Sequence, residues 1–148
     1  MSINSKYRLV NTIHTFSAEE TESLGESIGK TLVRGQVIGL AGDLGAGKTC
    51  FTRGLFKGRN QKSKVVVNSP TFVVMQRYEG DLVFYHADVY RLDSKQEFLD
   101  LDLFEIASDG VLVVEWADKF SEVFNEKAMI VEFVHQSPSE RLIRFYQK

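Results

Sequence analysis

The sequence predicts a single α/β domain built on a mixed sheet, with a mainly parallel core flanked by helices and antiparallel strands at the C-terminal end. Three observations carry that prediction. The chain has 148 residues, about the size that one hydrophobic core serves best. Strand-like and helix-like segments alternate through its first part, the pattern of βαβ units. Later strand-like runs follow one another with only turn residues between them, which calls for antiparallel pairing.

Residues 8–16 (RLVNTIHTF) alternate and are rich in β-branched side chains, and they read as a first strand. Ser17-Ala18-Glu19-Glu20 has the form of a capping box, with Ser17 at the N-cap and Glu20 three residues on, placed to reach back to the Ser17 amide. A helix is expected from there, with Leu24, Ile28 and Leu32 on one face and Gly35 as its C-terminal stop. Val37-Ile38-Gly39-Leu40-Ala41 is a short continuous apolar run, as expected of a strand covered on both faces. A glycine-rich loop follows directly, and residues 48–56 read as the next helix, with Phe51, Leu55 and Thr52 turned inward. The polar, basic residues 57–64 are expected to form a mobile surface loop. Further strands are expected at 65–67, 71–78, 82–87 and 111–115, with Gly80-Asp81 as a turn. Residues 91–109 are acidic and compatible with helix. Two last strands at 128–134 and 141–146 are joined at Gln136-Ser137-Pro138-Ser139.

Composition narrows the function classes. Hydrophobic residues at 43% and charged residues at 26% are ordinary for a globular protein that folds without staples. The formal net charge of -2 argues against a general electrostatic grip on nucleic acid, so DNA is not an expected partner and any RNA contact is local or delivered by another protein. Cys50 is the only cysteine, which excludes an intramolecular disulfide and suits a reducing compartment. No apolar run approaches the roughly 18 residues that span a bilayer, and the start Met1-Ser2-Ile3-Asn4-Ser5-Lys6 has no apolar signal core. The expected location is the cytoplasm, with no membrane contact.

Gly42-Asp43-Leu44-Gly45-Ala46-Gly47-Lys48-Thr49 satisfies G-x-x-x-x-G-K-[ST], the P-loop pattern. Glycines let backbone wrap closely around an anion, where a Cβ would block the approach. Lys48 supplies a charge to the β- and γ-phosphates, Thr49 a hydroxyl to magnesium, and the helix that opens here offers free N–H groups. A chance match is expected in well under roughly 1% of chains of this size, and this one follows a buried strand and opens a helix. The domain is therefore expected to be a P-loop NTPase fold that binds ATP with magnesium. Such a site needs a carboxylate at the end of another strand. Asp88 and Glu115 both qualify, and His86, Asp88 and Tyr90 fall on one face of an extended segment. The bland alternatives are a solvated strand-end charge for either acid and a structural role for His86. In Asn68-Ser69-Pro70-Thr71, Thr71 is placed to sense magnesium and the γ-phosphate, unless the segment is only a turn closed by Ser and Pro.

Taken in order, GDLGAGKT, NSPTF, HADVYRL and VEWAD resemble the TsaE family, small ATPases of bacterial tRNA threonylcarbamoyladenosine synthesis, over about residues 15–118. The resemblance implies an ATPase that joins two partners, TsaB and TsaD, which install threonylcarbamoyl on adenosine 37 of tRNAs reading codons that begin with A. Its ATP hydrolysis resets that complex, and tRNA is met only through it. Carried over, Leu44, Gly45, Ala46, Gly47, Lys48, Thr49 and Cys50 cradle the phosphates, Thr49 and Glu115 hold magnesium, and Thr71 and Asp88 complete the catalytic surroundings. Asp88 also stands as a magnesium ligand. The adenine is implied near the start of the first helix, at Ser17 and Glu20. Cys50 departs from the family's usual threonine, and a thiol keeps the amide but makes a weaker side-chain bond to the α-phosphate.

A small-molecule kinase is the alternative function, although no segment is long enough for an arginine-bearing lid. A GTPase lacks its Asn-Lys-x-Asp motif here. A non-catalytic module that holds ATP as a structural ligand does not account for the two acids.

Overall fold

A computed structural model of the protein describes residues 6–43, 45–68 and 74–148. Leu44 and Thr71 lie outside the described residues, as does the first part of the 71–78 run.

Strand β2 (Val37–Ala41) lies at the centre of the sheet. It is parallel to β5 (Val111–Glu115) on one side and to β6 (Met129–His135) on the other. Beyond β5, β4 (Phe84–Asp88) is also parallel and β3 (Met75–Tyr78) antiparallel. Beyond β6 come β7 (Arg141–Gln147) and β1 (Arg8–Thr15), both antiparallel. The order is β1-β7-β6-β2-β5-β4-β3, a mixed sheet with a parallel core and antiparallel flanks. Successive residues of β5 face opposite layers. Val111 and Val113 join a core with Ile38, Leu40, Phe51 and Leu55, whereas Leu112 and Val114 join one with Phe98, Phe120 and Phe124. A strand covered on both faces has no polar side, which is why β2 and β5 are written as unbroken apolar runs.

Helix α1 (Ala18–Gly29) begins at Ser17, whose hydroxyl accepts from the Glu20 amide at 3.1 Å. The reciprocal arm of the capping box differs from expectation, because the Glu20 carboxylate accepts from the Phe16 amide at 3.3 Å rather than from Ser17. The helix also ends at Gly29, six residues before Gly35. Leu32 stays buried through turns closed by the Thr31 and Leu32 amides. Helix α2 (Lys48–Arg59) follows the glycine loop and buries Phe51, Thr52 and Leu55 as expected, but runs three residues further. After it Gln61, Lys62 and Lys64 are exposed, as expected of a surface loop, while Asn60 is anchored. The buried Asn60 side chain accepts from the Leu82 amide at 2.9 Å and donates to the Leu82 carbonyl at 3.1 Å. Residues 65–67 form no strand; Val67 is buried while Val65 and Val66 are exposed. The acidic stretch supplies two short helices, α3 (Lys95–Asp100) and α4 (Leu103–Ile106), and a 3₁₀ segment, Ala117–Val123, follows β5.

Helices α1 and α2 cross with their backbones in contact through Gly25, Gly29, Gly54 and Gly58. A Cβ at Gly54 would stand 2.1 Å from the Glu22 carbonyl oxygen. This contact sets the position of α2 and with it Lys48.

Candidate functional site

The loop between β2 and α2 is held open by glycines. Gly42, Gly45 and Gly47 have φ of +140°, +76° and +107°, and a Cβ at Gly42 would lie 2.6 Å from the Phe133 carbonyl oxygen. Gly47 caps α2 without a side chain, which leaves the first amides of that helix directed at the loop's interior, a natural anion site. Lys48 is nearly fully buried. Its ammonium donates to the Gly42 carbonyl at 2.5 Å and sits 3.9 Å from the centre of the Trp116 ring. Burial lowers the Lys48 pKa, against the opposing pull of Glu115, Asp88, Asp118 and Asp43. Trp116 adopts a left-handed backbone with φ 65°, a conformation uncommon for a bulky residue, directly after Glu115.

The two acids expected from sequence are neighbours. Asp88 and Glu115 end adjacent parallel strands and are direct register partners. Glu115 is buried, and its Oε2 lies 2.7 Å from Nε2 of the equally buried His86. A carboxylate offers only acceptors, so His86 donates through Nε2–H; its Nδ1 has no hydrogen-bond partner among the described residues. Burial raises the Asp88 pKa, while the Tyr90 amide, which donates to Oδ1 at 2.9 Å, works against the rise. Tyr90 does not join His86 and Asp88 on a strand face. The strand stops at Asp88, and Tyr90 stands exposed with its ring 4.8 Å from that of Trp116. Sequence reasoning passed over Asp118, whose carboxyl is also raised by burial and whose Oδ1 is buried without a partner among the described residues. Its signal was the last letter of VEWAD, three residues after Glu115.

A cleft of about 360 Å³ opens beside the loop. Ser17, Ala18, Glu19 and Thr21 of the first helix form one wall, Gly45, Gly47 and Cys50 the floor, and Pro138, Ser139 and Arg141 the other wall. Glu20 is turned to its cap and is not among the lining residues. The β6–β7 hairpin wall, Arg141 above all, was not singled out from sequence. Thr49, half-buried, stands one residue beyond Lys48 at the start of α2. The residues fit a magnesium-bound nucleoside triphosphate. There is a cradle that side chains would fill, a buried lysine, and only hard oxygen donors in the Thr49 hydroxyl and the Asp88 and Glu115 carboxylates. Magnesium commonly takes one or two carboxylates, with phosphate oxygens and water completing its shell.

Among the described residues no helix is long and apolar enough to cross a membrane. The family model described as "Threonylcarbamoyl adenosine biosynthesis protein TsaE" matches residues 15–143. Several relatives bear the name tRNA threonylcarbamoyladenosine biosynthesis protein TsaE. The one from Treponema pallidum is 38% identical over 116 residues, 78% of this chain and 84% of the relative. That from Bacillus subtilis is 37% identical over 132 residues, 88% and 82% of the two chains. That from Aquifex aeolicus is 35% identical over 133 residues, 89% and 92%. The solved structure of Bacillus subtilis YdiB superposes with a TM-score of 0.73 at 30% identity, covering 95% of this chain and 86% of that one. Matched across the loop, both acid-bearing strands and the start of β7, this chain belongs to the TsaE family of tRNA threonylcarbamoyladenosine biosynthesis proteins.

Proposed function

We propose that this protein hydrolyses ATP with magnesium in support of tRNA threonylcarbamoyladenosine formation, binding and resetting a complex of TsaB- and TsaD-type proteins and meeting tRNA through them. One observation carries the ATPase part: a buried lysine in a glycine cradle lies within the field of two carboxylates on adjacent strand ends. The name shared by the relatives supports the pathway.

In this reading Lys48 exchanges the Gly42 carbonyl and the Trp116 face for the β- and γ-phosphates, a stronger charged partner for the same ammonium. Backbone amides of Gly45 to Cys50 surround the phosphates. Cys50 contributes its amide, and its thiol bonds the α-phosphate more weakly than a hydroxyl would. Thr49 and Glu115 hold magnesium, with Asp88 beside them; when bound, the ion neutralises charge on the β- and γ-oxygens. His86 fixes the orientation of the Glu115 carboxylate through its 2.7 Å contact. Asp88, its pKa raised by burial, is suited to orient or accept a proton from the attacking water. Thr71 is assigned to sensing the γ-phosphate. The adenosine occupies the cleft between the Ser17 end of α1 and the Pro138-Ser139 turn.

The test is ATP turnover by the purified protein, alone and with TsaB and TsaD, beside a pull-down of those partners with and without ATP. Weak turnover alone, a rise with partners, and loss of both binding and turnover in Lys48→Ala are expected. Partners that neither bind nor change turnover would sink the tRNA-modification reading.

A further inference from the structure

Arg141 makes an unusual set of bonds. Its Nε donates to the Ala46 carbonyl at 3.1 Å and one terminal nitrogen to the Gly45 carbonyl at 3.1 Å. The other terminal nitrogen reaches the carbonyls of Ser137 and Pro138 at 3.1 Å and of Glu140 at 3.0 Å. All five acceptors are backbone oxygens. The adjacent carboxylate of Glu140 turns instead to His14, 3.4 Å away. The aliphatic stem packs close to the loop as well, since a Cβ at Gly47 would lie 3.9 Å from the Arg141 Cγ.

Two of these acceptors belong to the phosphate-binding loop. In a trans peptide the C=O and the following N–H point in opposite directions. Drawing the Gly45 and Ala46 carbonyls to Arg141 therefore turns the Ala46 N–H onto the loop's own Asp43 carbonyl, at 3.1 Å, and the Gly47 N–H into the cradle. A planar guanidinium can hold carbonyls of both the loop and the hairpin in one fixed geometry, which a lysine's single ammonium cannot reproduce.

We propose that Arg141 is a positioning residue for phosphate binding: it holds the outward carbonyls of Gly45 and Ala46, orients the Gly47 amide toward the cradle, and fastens the loop to the hairpin wall of the cleft. The inference rests on the nucleotide-binding reading above and adds to it a determinant from the far end of the chain. Arg141 acts through the loop's shape and does not itself touch the phosphates. Its loss makes the loop sample conformations that cannot bind, and affinity falls by the fraction of loop still competent.

The experiment compares wild type, Arg141→Ala and Arg141→Lys as full chains. It measures ADP and ATP affinity with magnesium by calorimetry, amide hydrogen exchange without nucleotide, and thermal unfolding. Arg141→Ala is expected to weaken ADP about tenfold. Exchange should speed up in the peptide covering 42–49 while β2 and β5 stay protected, and Arg141→Lys should recover part of the loss. Unchanged ADP affinity in Arg141→Ala overturns the proposal. So does exchange that rises across the whole sheet in step with a lowered Tm in both variants, which marks a purely structural role. If wild type itself binds neither ATP nor ADP, the nucleotide reading fails first, a result distinguishable because it needs no variant.

Discussion

Gly54→Ala tests whether the crossing of α1 and α2 positions the loop helix. In an isolated helix the change favours alanine by about 1 kcal/mol. Here the new Cβ would stand 2.1 Å from the Glu22 carbonyl oxygen and 3.0 Å from the Glu22 carbonyl carbon and the Glu26 nitrogen. Carbon and oxygen approach comfortably only to about 3.3 Å, so the helices must part by about 1 Å. The obstructing atoms are backbone and cannot rotate aside. Overpacking of this kind costs about 2–3 kcal/mol, and after the propensity gain a net loss of about 1–2 kcal/mol remains. For a chain of this size that lowers Tm by about 2–8 °C. Because Lys48 opens the same helix, the shift also weakens nucleotide binding. Circular dichroism melts and ADP titration read both effects. Gly25→Ala, whose Cβ would lie 2.4 Å from the Phe51 carbonyl oxygen, should cost less in the Gly54→Ala background than alone, because the helices have already separated. A Tm equal to or above wild type in Gly54→Ala would refute the reasoning.

Trp116 is the sole tryptophan and lies under the Lys48 ammonium, so its fluorescence should change when ATP-Mg draws the lysine away, and Lys48→Ala should abolish the nucleotide response; a wild-type signal indifferent to saturating ATP would contradict the exchange of partners. Glu115→Gln should retain nucleotide binding while turnover falls by about 100-fold or more. His86→Leu, which removes the 2.7 Å support of Glu115, should lower it by about 10–100-fold; single-turnover assays with either variant at wild-type rate would remove those residues from the mechanism. Asp118 gives a pH prediction whose sign follows from burial. Its native pKa is raised above 3.8, so the folded state holds that proton more tightly than the unfolded one, and stability contributed by the group falls as pH rises through the native pKa. Asp118→Asn should therefore raise Tm more at neutral pH than below pH 3.8; thermal melts at the two pH values showing an equal or reversed gain would contradict the burial argument.

The sequence errors share a cause. Periodicity carried α1 on to Leu32, but Leu32 reaches the core through turns after Gly29. Basic composition marks residues 57–64 as a surface loop, yet 57–59 complete α2 and the buried Asn60 side chain supplies partners to the Leu82 backbone. Period-two alternation correctly put His86 and Asp88 on one face, and it failed for Tyr90 because β4 ends at Asp88. The capping box was recognised, but which amide Glu20 meets depends on how the chain enters the helix from β1.

The sequence alone determined the glycine loop, its lysine and threonine, the central buried strand and the acids at two strand ends. Each of those is written in consecutive residues whose backbone freedom, charge or unbroken hydrophobicity acts locally. Tertiary structure alone decided that Asp88 and Glu115 are register partners, that His86 supports Glu115, that Trp116 covers Lys48, and that Arg141 grips the loop from 96 residues away. These depend on strand order and register, set when the sheet buries both faces of its core at once, and no local spacing records them.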